Sequence, residues 1–234
     1  PSTFRPLTIN SQRRFIMLII TGAPRNGLSL LAQYLIKLGY IASANAGPKT
    51  AFEDPTVAHI NNDILKAAGC AWNHAPNGTQ FIANGVIEYR IAKYLNENDD
   101  IDFLKDPRFT FTHPIWQRAV KDLDLLVSFR EPGEAALSIK SIFGSYVNQA
   151  LSVWQQYYVR LASVNAAFVE FGGNIEYEDY EENIGRAFGF LEIDHQPSVL
   201  SKIYDPHMIH ITNSTAVPPP IKNLYNVLSN RKEN

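Results

Sequence analysis

The sequence predicts a three-layer α/β domain whose central parallel sheet is flanked by helices. Along the 234 residues, short apolar runs alternate with longer amphipathic segments, which is typical of strands that cross over through helices into a parallel sheet. The first apolar run, residues 17–21, passes through a glycine-containing turn directly into an amphipathic segment. The most continuous apolar run, residues 123–129, is followed by Pro132, which favours the first turn of a helix.

The predicted elements fit one domain. We expect residues 1–16 to be a leader or disordered arm and residues 17–234 to be a single domain, since this length suits one α/β core. The predicted strands span residues 17–21, 102–105, 123–129 and 174–177. The first predicted helix follows the glycine turn, and another begins at Pro132. Further predicted helices span residues 55–68, 86–96, 116–120 and 146–171. A short last helix is expected after an irregular segment at 218–220.

Composition excludes several classes of partner. The net charge of −2 offers no attraction to nucleic acid or to an anionic membrane surface. No apolar run approaches the roughly 20 residues that span a bilayer, so we expect no membrane span. The single cysteine, Cys70, cannot form an intramolecular disulfide, which favours a reducing, cytoplasmic location. His207 and His210 lack a third ligand nearby, so we expect no metal site.

The turn after the first strand has the glycine spacing of a phosphate-binding loop without its lysine. Gly22 and Gly27 keep the spacing of G-x-x-x-x-G-K-[ST], but Leu28 stands at the lysine position. A leucine cannot neutralise the outer phosphate of ATP. Arg25 is the cation within this loop, so the sequence indicates a P-loop fold that binds a different anion.

A second anion site is predicted after the buried strand at 123–129. Arg130 leaves the end of that strand, and Ser138 lies eight residues later in the following helix, so both side chains can reach one phosphate. The planar fork of an arginine gives paired, charge-assisted hydrogen bonds to phosphate. The alternative is an ordinary surface arginine beside Glu131.

These two motifs resemble those of the sulfotransferases, which move a sulfuryl group from 3′-phosphoadenosine-5′-phosphosulfate (PAPS) to an acceptor hydroxyl or amine. The pattern G-x-P-R-[ST]-G-T-[ST]-L matches residues 22–30, and the arginine and serine of the second motif match Arg130 and Ser138. Weaker signatures match residues 52–55, 105–109 with Trp116, and 176–180. The arginine in the loop is closer to the bacterial and tyrosylprotein-type members than to the cytosolic enzymes.

The resemblance implies binding roles. The 5′-phosphosulfate would lie on the loop, and Arg130 and Ser138 would hold the 3′-phosphate that distinguishes PAPS from ATP. Adenosine 3′,5′-bisphosphate (PAP) would be the product, and no metal would be required. The loop residues implied in donor binding are Gly22, Pro24, Arg25, Asn26, Gly27, Leu28 and Ser29.

The resemblance also implies catalytic roles. Arg25 would stabilise charge on the oxygen between phosphate and sulfur, a gain specific to the transition state. Lys105 would be a second cation at the sulfuryl group, or else a strand-end lysine held by Asp106. Glu53 is our first choice of base, in a role that requires its pKa to be raised by burial; His59 and His113 are alternatives.

The loop departs from the family pattern at two positions. Asn26 replaces a serine or threonine, and Leu28 replaces a threonine whose hydroxyl would reach the phosphate. Two other functions therefore stay open: a P-loop nucleotide or small-molecule kinase, and an inactive protein that only binds PAPS or PAP. The expected acceptor is a small molecule or glycan, which the sequence does not identify. The oligomeric state is also open.

Overall fold

The computed structural model describes residues 17–120, 122–173, 175–205 and 213–232. Its sheet has four parallel strands in the order β2-β1-β3-β4. These strands are β1 (Met17–Thr21), β2 (Phe103–Lys105), β3 (Leu123–Phe129) and β4 (Ala167–Glu170). The expected arm at 1–16, and His207 and His210, lie outside the described residues.

Nine α-helices lie in the described part of the chain. They are α1 (Leu28–Lys37), α2 (Pro55–Ala67), α3 (Gly85–Glu97), α4 (Phe109–Ala119), α5 (Pro132–Phe143), α6 (Val147–Leu161), α7 (Tyr177–Phe190), α8 (Pro197–Ile203) and α9 (Pro219–Arg231). None of those described helices combines the length and apolar character needed to cross a bilayer.

The predicted three-layer architecture is confirmed. Leu18 and Ile20 of β1 face a cluster that includes residues of α1, α7 and α8. Ile19 faces the opposite cluster, to which α2 through α6 and α9 contribute. Because side chains alternate along a strand, β1 must be apolar at every position to be covered on both faces.

One predicted helix and one predicted strand are wrong. The helix expected over 146–171 ends with α6 at Leu161, and β4 follows at Ala167–Glu170. The strand expected at 174–177 is not formed, since Tyr177 already begins α7 and Asn174 lies outside the described residues. Ala167–Glu170 is fully buried, and a short buried apolar run has no periodicity that separates strand from helix.

The proline-rich segment at 218–220 also differs from expectation. Pro219 begins α9, with Pro218 as the residue that precedes the helix. Proline is accepted at the first helical position because the missing N–H would have no partner there. The irregular segment expected at these residues is therefore the start of a helix.

Candidate active site

The glycine loop lies at the carboxyl end of β1 and leads into α1. Gly27 is the residue before the helix, with a φ of 81°, and no side chain caps α1. The Gly27 carbonyl accepts from the Leu30 and Leu31 N–H groups, so the N–H groups that precede them at the start of the helix have no acceptor within α1. Free N–H groups at a helix N-terminus, together with the helix dipole, favour an anion.

Tyr158 of α6 fixes this loop to the end of β3. Its hydroxyl donates to the Ser128 carbonyl at 2.7 Å and accepts from the Ala23 N–H at 3.1 Å. The Ser128 hydroxyl in turn donates to the Asn26 carbonyl. Burial raises the pKa of Tyr158, so its hydroxyl stays a donor. The loop shape is therefore set by β3 and α6 as well as by its own residues.

Close packing explains both loop glycines. A Cβ on Gly22 would lie 2.2 Å from the Ser128 carbonyl oxygen, and one on Gly27 would lie 2.5 Å from the Phe171 ring. Both residues also have positive φ values, which side chains disfavour. The spacing that resembles a phosphate loop is thus also required by contacts with β3 and with the segment after β4.

Asn26 and Leu28, the two departures from the family pattern, both point inward. The Asn26 side-chain amide donates to the Ala23 carbonyl at 3.0 Å and to the Pro24 carbonyl at 2.9 Å. Leu28 is buried and belongs to the cluster on the α1 face of the sheet. The position of the P-loop lysine is therefore occupied by a core side chain, whereas Ser29 next to it is partly exposed.

Arg25, Ser138 and Arg130 form the first polar group of the site. Arg25 Nε donates to Ser138 Oγ at 3.3 Å. Desolvation of the guanidinium, and then the nearby charge of Arg130, lower the pKa of Arg25. Arg25 has a φ of 69°. The structure thus brings the loop arginine to the pair that was expected to hold a 3′-phosphate.

Glu134 is part of this group, a role that was not predicted from the sequence. Its Oε2 accepts from Arg130 Nε at 2.8 Å and from the Gly173 N–H at 3.0 Å. Arg130 and Glu134 are both buried. Their spacing of one helical turn was the available signal, but it does not show that the pair is buried.

Glu53 and Lys105 lie in a second polar group. Lys105 Nζ, at the end of β2, is 2.9 Å from Glu53 Oε1 and 2.9 Å from the Ala51 carbonyl oxygen. The Lys105 side chain is 3% exposed and that of Glu53 is 23% exposed, so the carboxylate lies nearer to solvent. Ala51 and Phe52 both have left-handed backbone conformations and lead the chain into Glu53.

Arg108 joins this second group and was also missed. Its Nη1 is 3.2 Å from Glu53 Oε2 and 3.0 Å from each carboxylate oxygen of Asp106. Burial acts to lower the pKa of Arg108, but Asp106 and Glu53 together raise it above the ordinary value. Burial raises the pKa of Asp106, and Arg108 opposes that shift. Asp106 therefore supports Arg108 from the buried side.

The alternative bases lie elsewhere in the helices. His113 is buried in α4, where its Nδ1 lies 2.9 Å from the Phe109 carbonyl oxygen. Burial lowers the pKa of His113, which favours the neutral ring. His59 is an exposed residue of α2. In the part of the chain that the structure describes, no ion pair or hydrogen bond joins either histidine to Lys105 or Arg25.

The Ala51 carbonyl connects the glycine loop to the second group. Ser29 Oγ donates to it at 3.3 Å, and Lys105 Nζ binds the same oxygen. Both donors were expected to bind the same phosphosulfate. Glycine-loop, arginine and carboxylate residues thus converge at the carboxyl ends of β1, β2 and β3. Over the described ranges, no cluster of three or more His, Cys, Asp or Glu residues is placed to hold a metal.

A cavity of about 450 Å³ lies away from these groups. Its lining includes Ala167 at the start of β4, Ala187 of α7 and Arg231 of α9. None of its lining residues belongs to the two polar groups. The convergent charges therefore lie outside this cavity.

The chain has a sulfotransferase-like fold. The sulfotransferase domain of the Synechococcus PCC 7002 olefin synthase superposes with a TM-score of 0.50 and 14% sequence identity, over 92% of this chain and 93% of that one. Sulfotransferase STF1 from Mycobacterium tuberculosis H37Rv gives a TM-score of 0.43 and 10% identity, over 92% of this chain and 76% of that one. No protein-family model and no curated protein sequence matches this chain.

Proposed function

We propose that this chain is a sulfotransferase that uses PAPS as its donor. The observation that carries the proposal is the first polar group, in which Arg25, Ser138 and Arg130 lie together beside an uncapped helix N-terminus. PAPS carries two anionic groups, and a loop with an adjacent pair of arginines provides for both. The sulfotransferase-like fold is consistent with this donor.

In the proposed reaction, the acceptor oxygen or nitrogen forms a bond to sulfur while the bond from sulfur to the 5′-phosphate oxygen breaks. The electron pair of that bond goes to the phosphate of PAP, and the acceptor proton goes to Glu53. Arg25 and Lys105 stabilise the charge that develops on the phosphate and sulfuryl oxygens. The Glu53 carboxylate is 23% exposed, so an acceptor can reach it, although the burial that the sequence analysis required of a base is absent.

Leu28 argues against the alternative of a kinase. Its side chain is buried among apolar residues, so the loop has no lysine for the outer phosphates of ATP. A protein that binds PAP without turnover is favoured by one observation, namely that Asn26 directs its amide into the loop. Turnover measurements separate that possibility from an active enzyme.

Equilibrium binding and transfer together test the proposal. We expect PAP to bind at least 10-fold more tightly than ATP with Mg²⁺, because each good charge-assisted phosphate contact contributes about 1.5–3 kcal/mol. We also expect ³⁵S-labelled PAPS to transfer its label to one member of a panel of small-molecule and glycan acceptors. Tighter binding of ATP with Mg²⁺ would contradict the donor assignment. PAP binding without any transfer would favour the inactive protein.

A further inference from the structure

We propose that Arg108 is a positioning residue that holds Glu53 in place during transfer, an inference that rests on the proposed function. Glu53 is the base in that function, and a base must be held in a fixed orientation to take a proton efficiently. Arg108 touches neither the loop nor Ser138 among the contacts of the described residues. It acts through Glu53.

The two oxygens of the Glu53 carboxylate are divided between two cations. Oε1 accepts from Lys105 at 2.9 Å, and Oε2 accepts from Arg108 at 3.2 Å. Lys105 also binds the Ala51 carbonyl. Its ammonium group is therefore shared between partners, and a compact lysine ammonium rotates more freely than a guanidinium.

In the proposed role, Lys105 moves from Glu53 to the sulfuryl group. Oε1 then loses its cation and becomes free to accept the acceptor proton. Arg108 remains on Oε2, so the carboxylate keeps one ion pair and its orientation. The two cations therefore have different tasks: Lys105 exchanges between Glu53 and the donor, and Arg108 stays.

Arg108 is fixed by the buried residues behind it. Asp106 is fully buried, and it accepts from the Arg108 backbone N–H at 2.7 Å and from Asn61 Nδ2 at 3.3 Å. Asn61 is itself held by Thr112 at 2.8 Å and by the Trp116 indole at 2.9 Å. This network spans α2 and α4, so Arg108 has a rigid support on the side away from Glu53.

Other charged or titratable groups near Glu53 do not provide this contact. Asp106 has the wrong charge, and the hydroxyl of Tyr157, on α6, donates to the Trp72 carbonyl at 2.9 Å. Burial raises the pKa of Tyr157 well above its ordinary value, so it stays neutral. Only Lys105 and Arg108 bring a positive charge to Glu53 within hydrogen-bond distance in the described ranges.

A double-mutant cycle tests this role. We expect Arg108→Gln to lower kcat for transfer from PAPS by about 10- to 100-fold, while the KM for PAPS changes less than twofold. Glu53→Gln lowers kcat at least as much, and the double variant is no slower than Glu53→Gln alone. Arg118→Gln, which changes an exposed arginine of α4, the helix that Arg108 precedes, serves as the matched control and leaves kcat unchanged.

Effects on kcat that multiply in the double variant would show that Arg108 acts independently of Glu53 and would overturn the proposal. An unchanged kcat in Arg108→Gln would overturn it as well. Arg108→Lys guards against a general loss of structure, since it restores the charge and is expected to recover part of kcat.

Urea unfolding of the wild type, Arg108→Gln, Glu53→Gln and the double variant separates this inference from the proposed function. We expect the changes in unfolding midpoint to be non-additive, because the two side chains are in contact. Additive midpoints would overturn the contact whether or not the protein turns over PAPS. Absence of transfer by the wild-type protein, with coupled midpoints, would overturn the proposed function and leave Arg108 as a structural partner of Glu53.

Discussion

At the level of single residues, the ion pair between Arg130 and Glu134 bears on the stability of the fold and on the proposed binding of PAP. Its side chains are 3% and 0% exposed, so removal of one partner leaves the other charge buried. Glu134 uses Oε2 for Arg130, whereas its Oε1 has no hydrogen-bond partner among the described residues. The carboxylate is therefore heavily dependent on Arg130 for compensation of its charge.

We predict that Arg130→Ala weakens PAP binding by about 10- to 100-fold, through loss of about 1.5–3 kcal/mol of charge-assisted contact. It also lowers the free energy of unfolding by about 3–5 kcal/mol, because Glu134 is left unpaired. Calorimetry with PAP and urea unfolding measure the two effects.

The double variant Arg130→Met, Glu134→Gln separates binding from stability. We expect it to recover most of the unfolding free energy but not the PAP affinity. Arg186→Ala removes an exposed pair with Glu182 and is the control, with both quantities unchanged. Full PAP affinity in Arg130→Ala would contradict the assignment of this residue to a phosphate.

At the level of elements, Asp54 organises the chain beside the second polar group. It precedes α2 and accepts from the Thr56 N–H at 2.6 Å and the Val57 N–H at 3.3 Å. It also accepts from Ser43 and, at 3.1 Å, from the Tyr94 hydroxyl of α3. One buried carboxylate thus caps α2, contacts α3 and anchors the segment that contains Glu53.

We predict that Asp54→Ala lowers the free energy of unfolding by about 3 kcal/mol, because it removes a helix cap and two further hydrogen bonds to a charged acceptor. Asn84→Ala is the matched control: Asn84 is exposed and caps α3 through the Ile87 N–H alone, at 3.0 Å. We expect Asn84→Ala to lower the free energy of unfolding by about 1 kcal/mol. Equal losses in urea unfolding would contradict the wider role of Asp54.

At the level of the whole molecule, α9 and the residue that follows it are held against β4 and the segment that precedes β4. Arg231 donates to the Ala162 carbonyl at 2.6 Å and to the Val164 carbonyl at 2.7 Å. Lys232 forms an ion pair with Glu170, which is also bonded by the Tyr225 hydroxyl. Glu170 ends β4 immediately before the segment that contacts Gly27 and Glu134, so α9 supports the site from a distance.

We predict that Lys232→Met lowers the free energy of unfolding by about 3 kcal/mol, because Glu170 is 5% exposed and keeps only a neutral partner. Lys222→Met, at an exposed position of α9, the helix that Lys232 follows, should change the free energy of unfolding by less than about 0.5 kcal/mol. Thermal or urea unfolding checks both. A loss in Lys222→Met as large as in Lys232→Met would show that general charge, and not the pair with Glu170, is responsible.

Local patterns were sufficient to predict most of the elements. The bounds of β1 and β3 agree with the sequence prediction, because both are buried apolar runs that end at a turn. The helix predicted over residues 162–171 was wrong because a short apolar run fits a helix or a strand equally well. Only pairing with β3 decides between the two.

The candidate site was predictable only in part, because some of its contacts join residues that are far apart in the chain. Gly22, Gly27, Arg130 and Ser138 lie in local motifs with known spacing. Arg108 could not be assigned, because its contact with Glu53 joins residues 55 positions apart.

By itself, the sequence determined a parallel α/β sheet, a glycine loop without the P-loop lysine, and the arginine and serine that follow β3. These follow from local periodicity, turn chemistry and motif spacing. The tertiary structure decided which charges meet: Arg25 with Ser138, Arg130 with Glu134, and Glu53 with Lys105 and Arg108. Those pairings depend on how the carboxyl ends of the strands are brought together, and no local pattern encodes that arrangement.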